Sequence, residues 1–128
     1  MEKLIQARQA VAALEDILEE PFSVIVRDAT IQRVEFSSEA VWKAAREWLY
    51  TQESIEANHP RGSFRELFRI GQMDEALSMK LLDWIDDRNR TSHAYVEALA
   101  QAVFEKIPQH LQTLKSVLRV IQQSDSIK

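Results

Sequence analysis

There is no cysteine in the 128 residues of this chain. That excludes disulfides, thiolate catalysis and cysteine-ligated zinc, and it fits a reducing compartment. Turn formers are also scarce, with 2 Gly and 3 Pro. Few turns mean long elements, which favours helices over a many-stranded sheet. No apolar run approaches the ~18 residues of a membrane span. The N-terminal stretch turns polar at Gln6, before any apolar core of a signal peptide has formed. The expectation is a cytoplasmic protein with no membrane association. An excess of positive charge is missing too, since the net charge is −4. That weighs against a protein whose main task is gripping long nucleic acid, because phosphate binding is largely electrostatic. It leaves room for a local basic site.

What is present is an ordinary globular mixture, 45% hydrophobic and 28% charged. A chain of this length buries roughly two-thirds of its unfolded surface, enough to fold without a covalent staple. No repeat, low-complexity tract or Gly/Ser linker divides it, so residues 1–128 read as one domain, with about 124–128 as a frayed tail.

Apolar spacing then sets the elements. Leu4, Ala7, Val11, Leu14 and Leu18 recur at intervals of three and four, the seam of a bundle helix over about 2–19, stopped by Pro21. A second helix starts near Phe22 or Ser23 and reaches about Gln52. Its buried stripe is Val34, Val41 and Trp48, with Ile31, Ser38 and Ala45 in the adjacent row. Ser38 and Ala45 are small and allow a neighbour to approach closely. The stretch 58–63 is a loop. Ser63 with Glu66 reads as a capping box opening a short helix over 64–70, closed by Gly71. A fourth helix spans about 74–88 on Leu77, Leu81, Trp84 and Ile85. A fifth begins after Tyr95 and carries Val96, Leu99, Val103, Ile107, Leu111, Leu114, Val117 or Leu118, and Ile121. Pro108 removes a backbone donor inside that pattern, so a bend, or a split near Ile107, is expected. The fold class is therefore all-α, an antiparallel up-and-down four-helix bundle with one short extra helix.

Residues 86–95 stand apart, because they are rich in acids, arginine, histidine and hydroxyl groups and carry no apolar period. Arg88 and His93 are five apart, about 140° around a continuous helix, and would not share a face. If the helix ends near Arg88 and a turn follows, both reach one cleft. A guanidinium binds phosphate bidentately and stays charged. An imidazole moves a proton near neutral pH. Together they suit metal-free RNA cleavage, in which the 2′-hydroxyl attacks the adjacent phosphate. The same residues also suit a plain helix end: cations are favoured at helix C-termini, and Arg88 and Arg90 have Asp86 and Asp87 beside them. Composition and spacing favour the plain reading.

The segment Asp87-Arg88-Asn89-Arg90-Thr91-Ser92-His93-Ala94-Tyr95 resembles the Arg-x4-His-x-Tyr signature of HEPN proteins encoded beside minimal nucleotidyltransferases, first described as nucleotidyltransferase substrate-binding proteins. Phe36, Glu39, Trp42, Lys43 and the run Trp48-Leu49-Tyr50 are similar to the family's second-helix pattern, and 61–71 to its short helix; the likeness spans about 24–121. The resemblance implies a HEPN-like bundle, a homodimer that brings two motifs together, and metal-independent endoribonuclease activity in toxin members. Arg88 and His93 would be catalytic, with Asn89 as the polar neighbour of the arginine. It also implies a cognate minimal nucleotidyltransferase that transfers AMP onto Tyr95 and silences the nuclease.

Arg61, Arg65 and Arg69, at i, i+4 and i+8, line one face of the short helix and are candidates, with Arg90, for contact with RNA or an acidic partner. A solvated face is the slightly favoured alternative. Trp42, Trp48 and Trp84 lie on or beside apolar stripes and read as core or dimer interface before a base-stacking platform. His59 and His110 lack companions at ligand spacing, so no metal and no cofactor is expected. Three functions stay open: an RNase toxin neutralised by a nucleotidyltransferase, a non-catalytic substrate-binding partner of that enzyme, and a dimeric scaffold. The motif favours the first, and the negative net charge favours the second.

Overall fold

Leu4, Ala7, Val11, Leu14 and Ile17 are all buried, and they seat helix α1 (Glu2–Ile17) against the rest of the chain. The computed structural model describes residues 2–91 and 97–127, and side chains at 2–88 and 97–122. Among the described residues there are five helices and no strand: α1, α2 (Val24–Glu53), α3 (Pro60–Arg69), α4 (Glu75–Thr91) and α5 (Glu97–Ile127). The all-helical bundle expected from the spacing is what the chain forms.

Local chemistry sets each boundary. α1 ends ahead of Pro21, and its last turn tightens, with Glu19 N–H donating to Asp16 O and Glu20 N–H to Ile17 O, both at 3.1 Å. A residue before proline disfavours the α conformation, so the helix unwinds here. Ser23 is the N-cap of α2, with extended backbone and an Oγ that accepts from Val26 N–H at 3.0 Å. α2 closes on Ser54, a left-handed residue with φ 54°.

The short helix begins earlier than expected. Ser63 does not cap it; His59 does, its Nδ1 accepting from Gly62 N–H at 3.0 Å, with Pro60 in the first turn. Proline suits that position because its missing N–H has no helical partner there. A Cβ on Gly62 would come within 2.8 Å of the His59 ring, so this glycine makes the cap possible. Ser63 is instead buried and donates to His59 O at 3.1 Å. Gly71, at φ +82°, ends the element as expected.

Hydrogen bonds and ion pairs across helices give the topology. Ser37 Oγ donates to Ala10 O at 2.9 Å and Arg33 to Ala13 O at 2.7 Å, so α1 and α2 run antiparallel in close contact. Arg27 meets Glu97 and Gln101, while Ser38 meets His110, so α2 and α5 run parallel. Lys115 of α5 pairs with Glu15 of α1. α4 runs antiparallel to α5, with Lys106 pairing with Asp87 at 3.1 Å. α2 and α5 thus form the central pair, with α1 on one flank and α3 and α4 on the other. Val34, Val41, Trp48, Leu49, Leu67, Leu81, Ile107, Leu114 and Ile121 fill the shared core. Truncating any of the buried leucines to alanine costs ~2–5 kcal/mol by transfer and cavity terms. α5 is continuous through Pro108, so no split occurs near Ile107.

Candidate functional site

The expected stop at Arg88 does not occur. α4 continues to Thr91, because 84–91 contains neither proline nor glycine and its arginines complement the negative end of the helix dipole. Asp86, Asp87 and Arg88 are therefore consecutive helical residues, each about 100° further round the axis. They reach three different helices. Asp86 pairs with Arg61 of α3, Asp87 with Lys106 of α5, and Arg88 with Glu35 of α2. The stretch 86–88 of α4 is pinned from three sides by charge. Arg88 reaches across the bundle to Glu35.

Asn89 and Arg90 belong to α4, but their side chains lie outside the described ones. His93 and Tyr95 lie outside the described residues altogether. Arg88 is thus the motif residue whose environment is on view. Its side chain is 23% exposed, and partial burial lowers its pKa from the ordinary guanidinium value. An arginine stays charged under such a shift. It remains a cation with limited water around it.

Arg88 stands at a cleft of about 270 Å³. α2 contributes Glu35, Ser38, Glu39 and Trp42; α3 contributes Pro60 and Phe64. α4 adds Leu81, Trp84 and Ile85, and α5 adds His110 and Leu114. Glu39 is engaged locally: it accepts from Trp42 Nε1–H at 2.8 Å and pairs with Lys43 at 3.3 Å. The interior is mainly apolar and aromatic, and the charged groups are Arg88, Glu35 and Glu39.

His110 is the residue that sequence reading missed. It is 5% exposed. Its ring stacks on Trp84, with centroids 3.7 Å apart and planes within 7°, and its Nε2 is 3.0 Å from Ser38 Oγ. Burial pushes its pKa down to about 3, so it is neutral at physiological pH. A signal was available. His110 lies three residues after Ile107 and one before Leu111, on the buried stripe of α5, and Ser38 lies on the small-residue row of α2.

The arginine row on α3 divides. Arg61 is tied to Asp86, Arg69 to Glu66 at 2.7 Å, and Arg65 is exposed. Trp42 and Trp48 are buried, as their spacing suggests, and Trp84 is half-buried beside the cleft. Among the described residues no group of three or more His, Cys, Asp or Glu is placed to hold a metal ion, and no helix is long and apolar enough to cross a membrane.

Comparison with known proteins points one way. No curated protein matches the chain. A crystal structure of a protein from Thermus thermophilus is 36% identical, covers 90% of this chain and 98% of its own, and superposes with a TM-score of 0.81. The structure of a mutant of the toxin–antitoxin MntA-HpeT superposes with a TM-score of 0.77 over 95% of each chain at 19% identity, a likeness of fold. The family model described as "nucleotidyltransferase substrate binding protein like" matches residues 2–123, nearly the whole bundle and all of the 88–95 motif, and the chain belongs to that family.

Proposed function

We propose that this chain is the HEPN-type partner of a minimal nucleotidyltransferase, and that its 88–95 motif is a metal-independent endoribonuclease centre under that enzyme's control. The observation that carries the reading is Arg88. The first residue of the Arg-x4-His-x-Tyr motif is a partly desolvated cation at a cleft, held across the bundle by a carboxylate that a phosphate can replace. In the reaction, the ribose 2′-hydroxyl attacks the adjacent phosphorus and His93 relays its proton. Arg88 neutralises the charge that builds on the phosphoryl oxygens, and Asn89 supports it. The 5′-oxygen leaves protonated, giving a 2′,3′-cyclic phosphate and a 5′-hydroxyl. Tyr95 is the control point. Its hydroxyl attacks the α-phosphorus of ATP in the partner's active site and pyrophosphate leaves. The new AMP group sets negative charge beside Arg88. The family match supports a nucleotidyltransferase as the partner, and the similar fold of a toxin–antitoxin structure fits that setting.

A second reading has its own observation. Glu35 and Glu39 line the same cleft, and the net charge is −4, an unfavourable field for a polyanion. On that reading the chain is a non-catalytic substrate-binding subunit of the nucleotidyltransferase.

One experiment separates them. Purified chain is incubated with RNA with and without EDTA, then again after treatment with the cognate nucleotidyltransferase and ATP. The nuclease reading expects cleavage that EDTA does not affect. Arg88→Ala and His93→Ala each abolish it, and partner treatment silences it unless Tyr95 is changed to Phe. Cleavage that persists in both alanine variants, or that needs a divalent ion, rejects this mechanism. No cleavage by wild-type chain favours the substrate-binding subunit.

A further inference from the structure

We infer that Arg46, with Tyr50 and Asn58 beside it, is a second phosphate subsite, which holds one phosphodiester of an RNA strand that also reaches Arg88. This rests on RNA as the ligand of the 88–95 motif, and it does not require that the RNA be cleaved.

Arg46 differs from the other shielded arginines. Arg27, Arg61 and Arg88 are buried or half-buried, and each is met by a carboxylate, on Glu97, Asp86 and Glu35 respectively. Arg46 is half-buried too, yet among the described residues no carboxylate pairs with it and no acceptor takes its N–H groups. It is held by stacking instead, with Cζ 4.8 Å from the centre of the Trp42 ring. Cation–π contact orients the guanidinium plane and leaves its edge donors available.

The setting supplies the rest of a phosphate site. Arg46 opens on a cavity of about 370 Å³ that it shares with Tyr50 and Asn58. Their hydroxyl and amide groups are further donors, and both side chains are exposed. Ser54, at φ 54°, turns the chain at the end of α2, and Ile55 N–H bonds back to Leu49 O at 3.0 Å. The segment leading to Asn58 therefore leaves α2 from a fixed turn. Glu47 and Glu56 line the same cavity. Two carboxylates beside one guanidinium disfavour a dianion, so a phosphodiester, with its single charge, suits the site better than a terminal or free phosphate.

Helix geometry connects the two cations. Glu35, Glu39 and Trp42 belong to the α2 wall of the cleft at Arg88, and Glu39 is paired with Lys43. Arg46 is three helical turns past Glu35, within about 20° of the same direction and roughly 16 Å further along. It continues that wall beyond Trp42. A strand of roughly four nucleotides, at the low end of single-strand sites, covers the distance.

The test uses the full chain carrying His93→Ala, so that RNA stays uncut. It is titrated with the dinucleotide UpU and with pentauridylate, following tryptophan fluorescence at several salt concentrations. The pentamer is expected to bind ~10-fold or more tighter than the dimer, because only the longer strand reaches both cations. Arg46→Gln keeps a flat side chain against Trp42 and removes the charge. It should erase that gain and leave UpU unchanged. It should also lower the slope of log affinity against log salt by ~0.7, the value of one phosphate contact on a single strand. Arg46→Lys should restore the slope. A pentamer that binds no tighter than UpU, a slope that Arg46→Gln leaves unchanged or that Arg46→Lys fails to restore, or no binding of either oligomer overturns the subsite. RNA cleavage by the chain with His93 intact keeps the two readings apart. Cleavage together with an unchanged slope in Arg46→Gln rejects the subsite and leaves the nuclease standing. The slope change without cleavage retains the subsite and counts against the nuclease.

Discussion

A neutral histidine sealed between a tryptophan face and a serine hydroxyl makes the bundle sensitive to acid. His110 has a pKa of about 3 in the folded chain against 6.5 when free. Above about pH 6.5 both states are neutral at this ring and it adds no pH dependence. As pH falls below that value the unfolded chain takes up a proton that the folded chain refuses, so stability drops. The charged groups around the ring are Glu35, Glu39 and Arg88 on the cleft side, and Lys80, Asp83, Asp87 and Lys106 on the other. Between about pH 7.5 and about pH 5 the wild type should lose about 2 kcal/mol of unfolding free energy through this group. His110→Gln keeps a hydrogen-bonding partner for Ser38 and should remove that part of the decline. Urea unfolding at both pH values measures it, and equal declines in the two proteins reject the assignment. Sequence singled out Arg88 because a charged motif interrupts an apolar period. It did not single out Glu35 as the partner of Arg88. That pairing depends on how α2 and α4 cross, 53 positions apart in the chain, and no local spacing encodes it. For His110 the stripe of α5 signals burial, but its partners Trp84 and Ser38 arrive only when three helices pack.

At the scale of the element, periodicity located every helix, and termini were less legible. Caps compete locally. Ser63 and Glu66 make a sound capping pair, yet Pro60 preceded by an imidazole acceptor at His59 starts α3 earlier. The end of α4 was misplaced because loss of apolar period is not a stop signal, and the polar residues there continue the helix. Pro108 is a third case. It lies inside α5, on the exposed face, while Ile107 and His110 beside it are buried. Its missing N–H and its ring therefore act on the solvent side, where water can satisfy the freed carbonyl and a helix can be convex. The core stripe passes it undisturbed. The lost bond still costs the helix, so Pro108→Ala should stabilise the chain by about 1–2 kcal/mol, less than the ~3 kcal/mol of a fully helical proline because the unfolded chain also gains freedom. A urea midpoint that is unchanged or lower in the variant would mean that α5 does not suffer at this site.

Among the described residues, one end of the bundle exposes a group of apolar side chains. Phe22, Val24 and Ile25, at the start of α2, and Leu99, at the start of α5, are exposed, Ile25 by 82%. Phe22 lies 5.7 Å from the Phe104 ring, and buried Arg27 joins the same two helix starts through Glu97. Arg88, the first residue of the 88–95 motif, lies on the α4 that approaches this end. α4 runs antiparallel to α2 past the Arg88–Glu35 pair, and α5 begins at the Glu97 held by Arg27. An apolar patch beside a charged motif marks an association surface. A self-complementary contact there would bring Arg88 of two chains towards one two-fold axis, as the proposed nuclease reading requires. A homodimer built on this end is therefore expected, and light scattering at micromolar concentration should return the mass of two chains. Ile25→Glu places a carboxylate in the apolar contact without touching the core. It should weaken the dimer by ~100-fold or more, because an unpaired charge buried in an interface is strongly disfavoured. The helical content and melting profile at high dilution should match those of the wild type. If the nuclease reading holds, cleavage should fall with the dimer fraction, and raising the protein concentration should restore both together. A wild-type chain that scatters as a monomer, or an Ile25→Glu variant that remains a dimer, would remove this end of the bundle as the interface.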